Sequence, residues 1–134
     1  METKIEISLT QEQIAEFVRR GLLGLATPPA ASPGDALYAP LLGQRVVVRS
    51  HMSGVWWGRL SGVAGGVLVL TDARRAWSWT GALSCSGLAL RGPTGGRIEA
   101  PVPSTTIPEH VEILGPCTSE ADAAWSAVAP WVRS

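Results

Sequence analysis

The chain is short of lysine, cysteine, histidine and every aromatic ring except indole, and each shortage excludes something. Lys4 is the single lysine beside ten arginines, and eleven acidic residues bring the formal net charge to zero. Proteins that hold duplex DNA or RNA carry a basic excess. Its absence leaves a short, compact anion as the guest these arginines suit. Cys85 and Cys117 stand apart, with no C-x-x-C spacing and no histidine cluster, so neither a zinc site nor a disulfide framework is indicated. Both read as small buried apolar residues. The Met1–Glu6 segment lacks the basic and apolar regions of a signal peptide, and no apolar run approaches the roughly 20 residues that span a bilayer. A soluble cytoplasmic protein without metal or cofactor is expected.

Catalytic groups are scarce as well. Only His51 and His110 can serve a nucleophile as base, the first in a turn beside Ser53 and the second at the start of a predicted strand. Glu109 and Glu112 flank that strand, and Asp72 lies alone. Neither a G-x-x-x-x-G-K loop nor a G-x-G-x-x-G turn is present. The inventory argues for binding without turnover.

What is present is ordered. Thr10-Gln11-Glu12-Gln13 forms a capping box, and Ile14, Phe17, Val18, Leu22 and Leu25 follow at helical spacing. A proline- and glycine-rich linker occupies residues 26–42. The chain therefore divides into a helix (1–25), the linker (26–42) and a β-rich core (43–134). The long tether and one-sided apolar helix favour an arm docked on a neighbouring subunit, although the same features suit a helix docked on its own sheet. From Gln44 the period becomes two. Arg45–Ser50, Val55–Ser61, Gly66–Leu70 and Arg75–Trp79 read as a meander of four antiparallel strands, with reversals at His51–Gly54, Gly62–Gly65 and Thr71–Arg74. A short helix within Gly81–Leu90, strands over Arg97–Val102 and Glu109–Leu114, and a helix capped by Thr118 or Ser119 complete an α+β fold with a small curved sheet or partial barrel.

The chemistry concentrates in Thr71-Asp72-Ala73-Arg74-Arg75-Ala76-Trp77-Ser78-Trp79. Guanidinium forks fit phosphate oxygens, and indole faces stack on bases. The same residues also suit a solvated hairpin turn above a tryptophan core. With Arg49 ending the first strand, the meander is expected to bring Arg49, Arg74 and Arg75 to one rim, where the Ser53-Gly54 turn adds a hydroxyl and backbone amides. Two stacked faces at ~1–3 kcal/mol each and three charge-assisted bonds at ~1.5–3 kcal/mol each sum to roughly 6–15 kcal/mol before association entropy.

Four elements, Val48–Val55, Thr71–Ala82, the Leu88-Ala89 segment and Val111-Glu112-Ile113 leading to Pro116-Cys117-Thr118, resemble a family of small phage proteins, the Thoeris anti-defence sponges, over roughly Gln44 to Trp131. The resemblance implies a non-enzymatic protein that captures glycocyclic ADP-ribose, the cyclic nucleotide signal of bacterial immunity, in the host cytoplasm. It further implies capture of cyclic di- or trinucleotides at separate sites, and a homo-oligomer that is a dimer or a hexameric trimer of dimers. Carried over, the ligand-binding residues are Arg49, the turn residues Met52, Ser53 and Gly54, and Arg74 or Arg75 as the phosphate arginine; the reading of the residues themselves adds His51 to the site, with Trp77 and Trp79 as stacking faces. Ile98 or Ala100 falls nearest a later aromatic stacker that has no aromatic counterpart in this chain. Two other expectations are a phage assembly factor whose tryptophans form a protein interface, and a hydrolase of the signal with His51 as base.

Overall fold

The computed structural model describes residues 34–132, so the expected N-terminal helix and the first part of the linker lie outside the described residues. A 3-10 helix over Asp35–Leu41 comes first. It is followed by β1 (Arg45–Ser50), β2 (Gly54–Ala64), β3 (Val67–Thr80), α1 (Cys85–Leu90), β4 (Gly95–Ile98), β5 (Val102–Ile107), β6 (Glu112–Leu114) and α2 (Ser119–Ala127). The strands make one curved, open antiparallel sheet in the order β4-β3-β2-β1-β6. On the edge of β3 away from β2, β5 pairs with Leu68–Ala73 and β4 with Ala76–Thr80.

Alternation along the strands builds a core on each side of this sheet. Val47, Val55, Trp57 and Ile98 pack with Leu88 of α1 and with Ala121 and Trp125 of α2. Val46, Val48, Trp56, Leu60, Leu68, Leu70 and Ile107 pack on the other side, where Tyr38 and Leu41 of the 3-10 helix cover them. Part of the expected linker is thus ordered structure. The Asp35 carboxylate anchors it by accepting from the amides of Gly65 and Gly66, at 2.8 and 3.2 Å. Those two glycines take positive φ of 58° and 81° and form the tight reversal between β2 and β3. Thr118 caps α2 as expected, its hydroxyl accepting from the Ala121 amide at 3.0 Å.

The expected reversal at Thr71–Arg74 is not there. Thr-Asp-Ala looks like a turn signal because aspartate tolerates the left-handed region, and Asp72 does adopt it, with φ of 47°. One such residue inserts a bulge instead of reversing the chain: three steps from Thr71 to Arg74 face two steps from Arg59 to Trp57. A second bulge holds Trp77 between the pairs Ala76↔Ile98 and Ser78↔Arg97. Two predicted strands are therefore the single strand β3. The predicted Arg97–Val102 strand is conversely two, broken at 99–101, where Pro101 offers no amide to a ladder. Glu109–Leu114 keeps strand geometry only over Glu112–Leu114.

Candidate functional site

The unbroken β3 separates the two adjacent arginines. Arg74 lies opposite Trp57 in the helix-covered layer, and Arg75 lies opposite Trp56 on the reverse face. The second bulge then splits the two indoles of the same strand. Trp77 stays beside Arg75, whereas Trp79 packs against the helix-side core and donates its indole N–H to the Ala82 carbonyl at 3.1 Å. Convergence of Arg49, Arg74 and Arg75 on one rim is thereby overturned: strand alternation sends neighbours to opposite faces, and Arg49 lines neither of the cavities that hold the other two.

One face carries a groove of about 470 Å³ lined by Trp56, Arg75, Trp77, Glu99, Ala100, Pro101 and Val102. The Arg75 guanidinium carbon lies 4.5 Å from the Trp56 ring centroid and 5.4 Å from that of Trp77, a cation held between two π-faces. Its Nε is buried with no hydrogen-bond partner. Trp77 is 59% exposed, an unusual position for so large an apolar surface. Its indole N–H donates to Glu99 Oε2 at 3.0 Å, which fixes the ring plane. The groove floor is set by the Glu99 amide donating to the Arg75 carbonyl at 2.9 Å. A fixed guanidinium, an open ring face and a carboxylate that accepts from hydroxyl or amino groups can together take a small phosphorylated aromatic molecule. The volume lies within the roughly 300–1,000 Å³ typical of ligand pockets.

The other expected site residues lie elsewhere. Arg49 donates to Glu112 at 3.2 Å in a half-exposed ion pair, an arrangement worth at most ~1 kcal/mol. Around His51-Met52-Ser53-Gly54 the donors assigned to a ligand already have an anion. Glu109 accepts from the Ser50 hydroxyl and from the amides of Met52 and His51, at 3.0 and 3.4 Å, and the Ser53 amide donates to Ser50 Oγ at 3.0 Å. Gly54 supplies the positive φ of 85° that lets the chain enter β2. Ile98 is fully buried in the helix-side core and is packing, whereas Ala100 does line the groove. Trp56, Glu99, Pro101 and Val102 are groove residues that motif reading missed, because the register of β2 on β3 and the break at 99–101 leave no local signal.

The hydrogen bonds from Ser50 and from the Met52 amide hold the Glu109 carboxyl below the ordinary glutamate range. A depressed folded value means the turn's contribution is present above the unfolded value of about 4.3 and is lost as pH falls through the lower folded one. Glu109→Gln is expected to flatten the acid limb of stability below about pH 5. Chemical denaturation at a series of pH values checks this, and an unchanged slope would remove Glu109 from the account. Both thiols are unsuited to nucleophilic work at neutral pH. Burial raises Cys85, and burial together with Asp122 pushes Cys117 up to about 12.

No helix among the described residues is long and apolar enough to cross a membrane, and among them no cluster of three or more His, Cys, Asp or Glu side chains is placed to hold a metal ion. The model of one protein family, described as a domain of unknown function (DUF6948), matches residues 43–125, and the chain belongs to that family. No curated protein and no solved structure matches it.

Proposed function

We propose that this protein is a non-catalytic trap for a small cyclic nucleotide, held at the Arg75 groove with a phosphate on the guanidinium and a base on the open face of Trp77. The observation that carries the reading is the clamp of Arg75 between Trp56 and Trp77 at the mouth of a cavity of nucleotide size. Glycocyclic ADP-ribose, with cyclic di- and trinucleotides as further guests, is the ligand class that the resemblance to Thoeris anti-defence sponges favours. On this reading a phage-encoded homo-oligomer keeps the signal from its effector in the host cytoplasm. Arg75, Trp56 and Trp77 are its binding residues, with Glu99 and Ala100 shaping the wall.

The test is retention and release. Purified protein is incubated with glycocyclic ADP-ribose and with cyclic di- and trinucleotides, separated from free ligand and heat-denatured, and the released material is identified. Intact ligand supports the trap. Altered ligand replaces it with a hydrolase, and no retention of any nucleotide removes it. Arg75→Ala is expected to weaken capture roughly 10- to 150-fold, the equivalent of ~1.5–3 kcal/mol for charge-assisted hydrogen bonds, with the unfolding midpoint little changed. Calorimetry on both proteins measures the ratio; a variant that binds as well as the parent would discard the groove.

A protein interface is the second reading, favoured by the exposed apolar rim that Val102 and Trp77 make together. It predicts that Trp77→Ala changes the assembly state and leaves nucleotide retention alone.

A further inference from the structure

On the opposite face of the sheet, Arg74 presents a different problem. Its side chain is only 3% exposed. Nε donates to the Glu99 carbonyl at 2.7 Å and Nη1 to the Trp125 carbonyl at 2.5 Å, but Nη2 is buried with no hydrogen-bond partner. Two carbonyls satisfy part of the fork and none of its charge. Burial lowers the Arg74 pKa, and no neighbouring carboxylate opposes that shift. An arginine stays protonated in proteins, so the full positive charge persists in a dry setting. Buried charges are ordinarily paired.

Arg74 also lines a cavity of about 270 Å³ together with Arg45, Trp57, Asp72, Ser126 and Val128. The Arg45 guanidinium carbon sits 4.3 Å from the Trp57 ring centroid, and its Nη1 donates to the Asp72 carbonyl at 2.9 Å, so this second cation is held in place as well. Arg45 lies within electrostatic reach of Arg59 and of two carboxylates, Asp72 and Asp122, whereas no carboxylate answers Arg74, so the charge left unbalanced at the cavity is that of Arg74. We infer that this cavity is a site for a phosphoryl group, bound by Arg45 and by Arg74, whose covered and unpartnered Nη2 turns toward the guest, at a site other than the Arg75 groove. A phosphoryl group suits it because a tetrahedral oxyanion offers acceptors in several directions, and the donors come from two directions, the interior and the rim. The proposal does not depend on the trap: strand alternation sends Arg74 and Arg75 to opposite faces, and the two cavities share only Pro101 of their linings.

Inorganic phosphate is the probe. It is titrated into the full-length protein at constant ionic strength, with chloride as the balancing salt, while near-ultraviolet circular dichroism of the stacked Trp57–Trp125 pair and the melting temperature are followed. A saturable response is expected for phosphate and not for acetate, which offers fewer oxygens. Arg45→Ala should weaken it at least tenfold. Ser126→Asp, at an exposed position on the cavity wall, should do the same by placing a carboxylate on that wall, and it keeps the test decisive if Arg45→Ala does not fold. Arg75→Ala should leave the response intact even where it abolishes nucleotide capture. A response matched by chloride, one equally strong with acetate, one unaffected by Ser126→Asp, or one lost with Arg75→Ala would each overturn the assignment.

Discussion

Trp125→Ala is expected to lower the unfolding free energy by about 3–5 kcal/mol, the range for truncating a large buried aromatic residue. The ring is completely buried, its N–H donates to the Leu88 carbonyl at 3.1 Å, and it stacks on Trp57 at a centroid distance of 5.5 Å with the planes 3° apart. Trp57 is itself pinned by donation from its indole N–H to Asp122 at 3.0 Å. This one stack therefore joins the middle of the sheet to both helices. Removing the ring opens a cavity under α2 and strips the Leu88 carbonyl of a donor, and the two costs add in the same direction. Denaturant unfolding, followed by far-ultraviolet circular dichroism, measures the loss. A change under about 1.5 kcal/mol would show that the helix-side layer is held by something other than this pair.

Gly96→Ala should cost nearly as much for a backbone reason. Gly96 takes φ of 141°, a region reserved almost wholly for glycine, and a Cβ there would meet the Ser78 carbonyl oxygen and lie 2.6 Å from Trp79 Cα. Neither neighbour is a flexible side chain that can swing aside. Relief requires β4 to leave β3, giving up the pairs Ser78↔Arg97, Trp79↔Gly96 and Thr80↔Gly95. Strain of ~1–3 kcal/mol, together with ladder bonds of ~0.5–1.5 kcal/mol each, gives an expected loss of about 3–4 kcal/mol. Gly43→Ala is the control. Its φ is 82°, but nothing lies within 4 Å of the added methyl, so only the conformational penalty of roughly 1–2 kcal/mol applies. Equal losses in the two variants would mean that crowding at Gly96 is absorbed elsewhere.

The sequence announced those features that depend on neighbouring residues alone. The strand over Arg45–Ser50, the turn before Gly54, the alternation of Trp56 and Trp57 and the Thr118 cap are all set by spacing within a few residues, and each is found. What it concealed was everything decided by pairing. A single left-handed residue looks the same before a reversal as inside a bulge; the partner strands choose, and Asp72 is kept within β3 by β2 on one side and β5 on the other. The candidate site suffered most from this. Arg75 and Trp77 were visible as chemistry, but their partner Trp56 is supplied by register, and Glu99 by a break between strands. Arg74 showed the same ambiguity: an arginine beside another arginine looks exposed, yet it ends beneath Trp125 because β3 never turns.

Two of the bulges, at Asp72 and Trp77, fall in one strand, and each works as a parity switch. Losing the extra residue at either would straighten the strand and leave the flanking pairs as they are, Arg59↔Thr71 with Trp57↔Arg74 or Ala76↔Ile98 with Ser78↔Arg97, whereas losing one residue elsewhere in β3 would exchange inward and outward for the side chains on one side of the loss. Single-residue length changes in β3 should therefore survive descent at the two bulges, and elsewhere only where a matching change restores the count across the ladder.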